Sequence, residues 1–147
     1  MSITQKNLLE AIIVDIDGTV AIRGDRSPYD WSKVGLDTPN NYVLNVIWTL
    51  KEASKTNIVF LSGRDEICRQ ETIKWLNYQI HFDDYQLFMR AEGDMRKDSI
   101  VKEEIYNREI KDKYFVTAVF DDRLQVCRMW HKLGLPLFRV GDPDSNF

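Results

Sequence analysis

The sequence predicts an α/β sandwich of three layers, with helices covering both faces of a mainly parallel sheet. Short apolar runs recur along the 147 residues, the segments between them place apolar side chains at helical spacing, and strand and helix candidates alternate from end to end. Ala11–Ile16 opens the series as a strand. The stretch 21–39 is the longest irregular piece, rich in Gly, Pro, Asp and Arg. Pro39 then marks the start of a helix over 40–54, with Val43, Ile47 and Leu50 on one face. Asn57–Ser62 is the second strand, and 65–78 is a helix carrying Ile67, Ile73, Trp75 and Leu76. Tyr85–Arg90 is the third strand. Over 97–110 a helix places Val101 and Ile105 together, with Glu104 and Arg108 as a supporting i,i+4 pair. A strand at 116–120, a helix at 122–133 closed by Gly134, and a last strand at 137–140 complete the pattern. The expected organisation is one domain over 1–147.

Composition is that of an ordinary globular domain, 44% hydrophobic and 29% charged. No apolar stretch approaches the roughly 20 residues needed to cross a bilayer, so no membrane partner is expected. Met1–Glu10 shows no secretory pattern, and the two cysteines, Cys68 and Cys127, match no metal spacing. A reducing, cytoplasmic setting is the expectation. The net charge of −3 disfavours an extended nonspecific nucleic-acid footprint.

Chemistry concentrates at the ends of the strand candidates. The first ends in Asp15-Ile16-Asp17-Gly18-Thr19, and strand alternation would place both carboxylates on one side. Side by side they repel and call for a compensating cation, such as a hard metal ion with oxygen ligands. Asp-Gly is also a plain turn signal. The second strand ends in Ser62-Gly63-Arg64, a phosphate cradle or a helix N-cap. After the third, Arg96 and Lys97 stand at a helix start, where the dipole disfavours cations; an anionic site or simple exposure accounts for them. The fourth ends in Asp121-Asp122, a second acidic pair.

DxDGT, a strand ending in Ser, then Lys, then DD, in that order, resembles the four motifs of the haloacid dehalogenase superfamily of phosphohydrolases. The resemblance runs from Ala11 to about Val140. GDRSPYD (24–30), LSGR (61–64), GDMRKDSIVKEEI (93–105) and FDDRLQVCRMW (120–130) narrow it to the 3′-phosphatase domains of the polynucleotide kinase/phosphatases of bacteriophages.

The resemblance implies a Rossmann-like fold with a minimal cap and a catalytic set of Asp15, Asp17, Ser62 and Lys97. Asp15 is the expected nucleophile, forming an aspartyl-phosphate, and Asp17 the acid/base. Ser62 and Lys97 are expected to hold the phosphoryl oxygens. Mg²⁺ is the implied cofactor, on Asp15, Asp17 (through its main-chain carbonyl), Asp121 and Asp122. Thr19, Arg26, Gly63, Arg64, Arg90 and Asp94 are the substrate-binding candidates. Arg26, Arg64 and Arg90 are expected on phosphates, and Asp94 beside Lys97 or a neighbouring Arg. Tyr29 and Trp31 either stack on a terminal base or pack the loop onto the body.

The small cap leaves room for a polymer end. The expected substrate is a 3′-phosphorylated DNA or RNA end. The alternatives are a phosphatase of nucleotides or other small esters, and an inactive end-binding domain, which the intact carboxylate set disfavours. No GxxxxGK[ST] loop is present, so kinase activity is not expected, and a kinase or ligase on a separate chain is the implied partner.

Overall fold

The computed structural model describes residues 7–147. β1 (Leu9–Val14) lies at the centre of a five-stranded sheet with β4 (Asn57–Asp65), β5 (Tyr85–Arg90), β6 (Tyr114–Asp121) and β7 (Leu137–Arg139). The strand order is β5-β4-β1-β6-β7, and every neighbouring pair is parallel. A central parallel strand is buried on both faces, which is why β1 reads as a near-continuous apolar run.

Alternate residues of β1 feed two separate cores. Ile12 and Val14 join Ile58 and Phe60 beneath α1 (Asn41–Ser54) and α2 (Arg69–Gln79), through Leu44, Ile47, Trp75 and Leu76. Ala11 and Ile13 join Val59 and Leu61 beneath α3 (Asp98–Ile105) and α4 (Leu124–Lys132), through Val101, Ile105, Val126 and Trp130. This is the expected three-layer α/β sandwich.

The chain runs from β1 to one side of the sheet and returns to the other at β6. The carboxyl ends of β1 and β6 therefore flank the topological switch point, where open α/β sheets bind ligands. Val14 pairs with both Phe60 and Phe120, so Asp15 and Asp121, one residue on, stand level at that edge.

Three local features depart from the sequence expectation. β1 ends at Val14 instead of Ile16, because the Ile16 carbonyl accepts the N–H groups of Thr19, Val20 and Ala21 and closes a turn. Asp15 and Asp17 therefore do not share a strand face. The stretch 21–39 contains a small antiparallel pair, β2 (Ala21–Ile22) with β3 (Thr38–Pro39), and a short 3₁₀ helix at Trp31–Leu36 capped by Asp30. Finally, α3 passes at Tyr106 into one wider turn, Tyr106–Ile110, so the expected 97–110 helix is regular only over its first part.

Candidate active site

Asp15 is held at the end of β1 by its N–H donating to the Phe120 carbonyl, 2.9 Å. Its carboxylate is buried and engaged on both oxygens. Lys102 Nζ donates to one at 2.7 Å, and the Thr19 hydroxyl to the other at 2.9 Å. The same Lys102 ammonium donates to Asp121 at 2.9 Å, and the indole N–H of Trp130 reaches that oxygen at 3.2 Å. One oxygen from each of Asp15, Asp121 and Asp122 falls within 4.8 Å of the others. Gly18 makes that approach possible: its φ is +83°, and a Cβ there would overlap the Asp122 carboxylate.

Three carboxylates thus share one buried lysine. Burial and then repulsion from Asp121 push the Asp15 carboxyl well above its ordinary range, against the pull of Lys102. Burial likewise raises Asp122. Burial would lower Lys102, but Asp121, Asp15 and Asp98 hold it well above its ordinary value. An excess of hard oxygen donors over positive charge is the donor set a small divalent cation takes.

Asp17 occupies a second, different cluster. One of its oxygens accepts from Arg26 Nη2 at 3.0 Å and Arg64 Nη2 at 2.9 Å; the other accepts from Arg64 Nε at 3.0 Å. Both arginines also grip Asp37. Arg26 does so through Nε and Nη2, each at 2.8 Å, and Arg64 through Nη2 at 2.8 Å. The remaining nitrogens are engaged too. Arg64 Nη1 reaches the Thr72 hydroxyl, and Arg26 Nη1 reaches the Ser27 and Pro28 carbonyls. Arg26, Arg64 and Asp37 are buried, while the Asp17 side chain keeps 37% of its surface exposed. Two guanidinium forks thus fix a carboxylate whose open side faces solvent.

The structure brings Asp15, Asp121, Asp122 and Thr19 together. It does not bring Lys97 there: Lys97 is exposed at the N-cap of α3, and the ammonium at the carboxylates belongs to Lys102. The Asp17 side chain stands apart from the acidic trio, bound to arginine. Arg26 and Arg64 are spent on Asp17 and Asp37 and do not present free forks to a phosphate. Arg90 is similarly committed, with Nε on the Gly63 carbonyl at 2.9 Å, Nη2 on Asp98 at 2.7 Å, and Nη1 on the carbonyls of Asp94 and Arg96. Of the two partners expected for Asp94, the structure selects arginine. It pairs with Arg96, which also grips Glu104.

Ser62 is buried within β4, where its pairing with β5 becomes irregular, and its Oγ accepts the Arg64 N–H at 3.1 Å. Gly63 is needed because a Cβ would overlap the Asp98 carboxylate. Burial would raise Asp98, but Lys102, Arg90 and Arg123 together carry it below its ordinary range.

Lys102, Asp37 and Asp98 escape the strand-end reading. For Lys102 a signal exists: Asp98, Val101, Lys102 and Ile105 follow i, i+3, i+4, i+7 spacing, so the lysine lies within the apolar stripe of α3. Asp37 offers no comparable pattern.

Residues 9–145 match the model of the polynucleotide kinase PNKP phosphatase domain. The chain belongs to this family. It is 41% identical over 127 residues, 86% of its length, to the "Putative bifunctional polynucleotide kinase/RNA ligase" of Autographa californica nuclear polyhedrosis virus, and spans 18% of that protein. Among solved structures it resembles chains of two Pnkp1/Rnl/Hen1 complexes, each with TM-score 0.83. One is 39% identical, covering 92% of this chain and 48% of the other. The second, described as an RNA repair complex, is 41% identical and covers 94% and 44%. The class C acid phosphatase of Bacillus anthracis shares the fold at TM-score 0.63 and 16% identity, over 95% of this chain and 69% of that one. The chain therefore spans less than half the length of the PNKP relatives it matches. As a PNKP phosphatase domain it is a phosphatase, a hydrolase of the haloacid dehalogenase type. Among the described residues no helix is long and apolar enough to cross a membrane.

Proposed function

We propose that this domain removes the 3′-phosphate from DNA or RNA ends through an aspartyl-phosphate, with Mg²⁺ as cofactor. The observation that carries this reading is the division of labour between two carboxylates two residues apart. Asp15 is buried between Lys102 and the Asp121–Asp122 pair, and Asp17 is held half-open by two arginines. A nucleophile needs charge compensation, and an acid/base needs access to the leaving group.

An Asp15 oxygen attacks phosphorus in line, and the bond from phosphorus to O3′ breaks. Asp17 gives its proton to O3′, freeing a 3′-hydroxyl. Asp17 then accepts a proton from the water that attacks the aspartyl-phosphate, releasing inorganic phosphate and restoring Asp15. Lys102 stays on Asp15 and Asp121 and offsets charge at the nucleophile. Ser62 and the irregular stretch of β4 at Gly63 and Arg64 offer polar groups to the phosphoryl oxygens. Asp15, Asp121 and Asp122 are the residues that would hold Mg²⁺, which when bound supplies positive charge to the phosphoryl group.

The relatives supply the polynucleotide and repair setting, and a kinase or ligase partner is part of the proposal on that ground. The test compares a 3′-phosphorylated oligonucleotide, its 5′-phosphorylated counterpart and a 3′-mononucleotide, with and without Mg²⁺. Metal-dependent preference for the 3′-phosphorylated oligonucleotide is expected. Equal rates on all three would leave a phosphatase of small esters and overturn the end-specific reading.

A further inference from the structure

We propose that the strand leading away from the scissile phosphate runs along the groove between α3 and α4, past Arg123, with Arg128 and Lys132 taking its backbone phosphates. This rests on the polynucleotide reading above and adds to it a surface and a direction.

Donor accounting singles out Arg123. Arginine carries five N–H donors. Arg26 uses five within the protein, and Arg64 and Arg90 use four each. Arg123, one residue beyond Asp122, spends little: Nη1 approaches Asp98 at 3.4 Å, and its guanidinium lies 4.8 Å from the centre of the Phe147 ring. No other side-chain hydrogen bond of Arg123 occurs among the described residues, and its side chain is 31% exposed. It is the guanidinium beside the acidic trio with donors to spare.

A groove of about 680 Å³ opens immediately behind it. On the α3 side it begins at Ser99, next to Asp98; on the α4 side it begins at Leu124, next to Arg123. Ser99 and Gln125 hydrogen-bond across it at 3.2 Å. The near end of the groove thus stands one residue along each helix from Asp98 and Arg123, on the side of the candidate active site. Leu124, Arg128 and Lys132 follow i, i+4, i+8 spacing and so form one stripe down α4, with the two cations exposed one helical turn apart. Glu103 is the opposing charge on the α3 wall. Arg139 also lines the groove, but its side chain is tied to the carbonyls of Asp122, Pro143 and Ser145. Exposed cations ranged along a groove that leads from a phosphate site fit a polyanion, and they do so on a chain whose net charge is −3. Ile100, 45% exposed, offers an apolar contact for sugars and bases.

The test is a length series, from the 3′-mononucleotide upward, on the wild type and an Arg128→Ala/Lys132→Ala double variant, with KM measured against salt. The double variant is expected to raise KM for the longer oligonucleotides severalfold. It should leave kcat and hydrolysis of a small aryl phosphate unchanged, and should flatten the slope of log KM against log salt by about 1.4, roughly 0.7 for each single-strand phosphate contact removed. Glu103→Gln, which removes the opposing charge, is expected to lower KM for the same oligonucleotides. An unchanged KM and salt slope in both variants would overturn the α3–α4 track. A wild type with no preference for longer oligonucleotides would instead sink the polynucleotide reading itself, so the two failures are distinguishable.

Discussion

The two charged clusters at the switch point both set aspartates against buried cations, but they are balanced differently. Around Asp15, three carboxylates face a single buried ammonium. Around Asp17, two carboxylates face two guanidiniums, and every nitrogen of both guanidiniums is engaged. The first cluster carries more carboxylate than ammonium charge. The second is complete, and its remaining open surface is that of Asp17 alone. On the proposed function, the imbalance is where a cation and a phosphoryl group would enter, and the balanced cluster is a scaffold that would aim a carboxylate.

The sharpest way to break this comparison is Asp15→Asn. Turnover should fall by about 10⁴-fold or more, because the attacking oxygen is gone. The fold should survive, since the change removes one of three repelling carboxylates while Lys102 keeps Asp121. Melting of the metal-free variant at or above the wild-type temperature, together with the lost activity, would be the expected pair of results. A folded, active variant would overturn the nucleophile assignment.

Lys102→Met attacks the same cluster from the other side. Leaving buried carboxylates without their ammonium should cost about 3–5 kcal/mol in the metal-free protein and suppress activity. Lys97→Met should leave activity within about twofold, since that side chain is exposed. Added Mg²⁺ should raise the wild-type melting temperature, by an amount equivalent to about 2.7 kcal/mol at a hundredfold excess over Kd, and should do so less for Asp122→Asn. Equal sensitivity of the two lysine positions would contradict the observed arrangement.

That contrast shows what was legible in the sequence. The sheet, its parallel order and its helical covers follow from alternating periodicities, and the strand ends locate Asp15, Asp17, Asp121 and Asp122. Choosing Lys97 over Lys102 weighs proximity to a strand end above position on a helix face. Lys102 lies in the buried stripe of α3 and reaches Asp15 across 87 residues of chain. Asp37 and the arginines meet over separations of 11 and 27 residues, and Arg64 meets Asp17 over 47. Composition reveals that these charges exist; only the fold decides which carboxylate each guanidinium binds. The sequence therefore marks Arg26 and Arg64 as candidates beside the site, and the fold shows that their side chains are engaged by Asp17 and Asp37.

Asp37→Asn probes the balanced cluster. Its side chain is almost wholly buried, and removing its charge leaves two guanidiniums with one carboxylate, at a cost of about 3–5 kcal/mol. If the cluster serves to aim Asp17, kcat for a 3′-phosphorylated oligonucleotide should fall by about 10²-fold, and that for an activated aryl phosphate much less, because the latter's leaving group needs no proton. An equal fall on both substrates would assign Asp37 a purely structural role.

The smallest effect is expected from a third charged group, outside both clusters. Arg96 grips Asp94 and Glu104 on the surface, with half of its own side chain exposed. Hydrogen bonds from the Arg96 side chain, then from its backbone N–H, bring the Asp94 carboxyl down to about 2. Because that folded value lies below the ordinary 3.8, its contribution to stability is present above 3.8 and disappears as pH falls through about 2. In Arg96→Ala the Asp94 titration, followed by carboxyl-carbon NMR, should move up toward 3.8, while activity near neutral pH stays unchanged. A large loss of activity would place this surface network in the site's machinery. An unmoved titration would show that something other than the Arg96 fork holds Asp94 down.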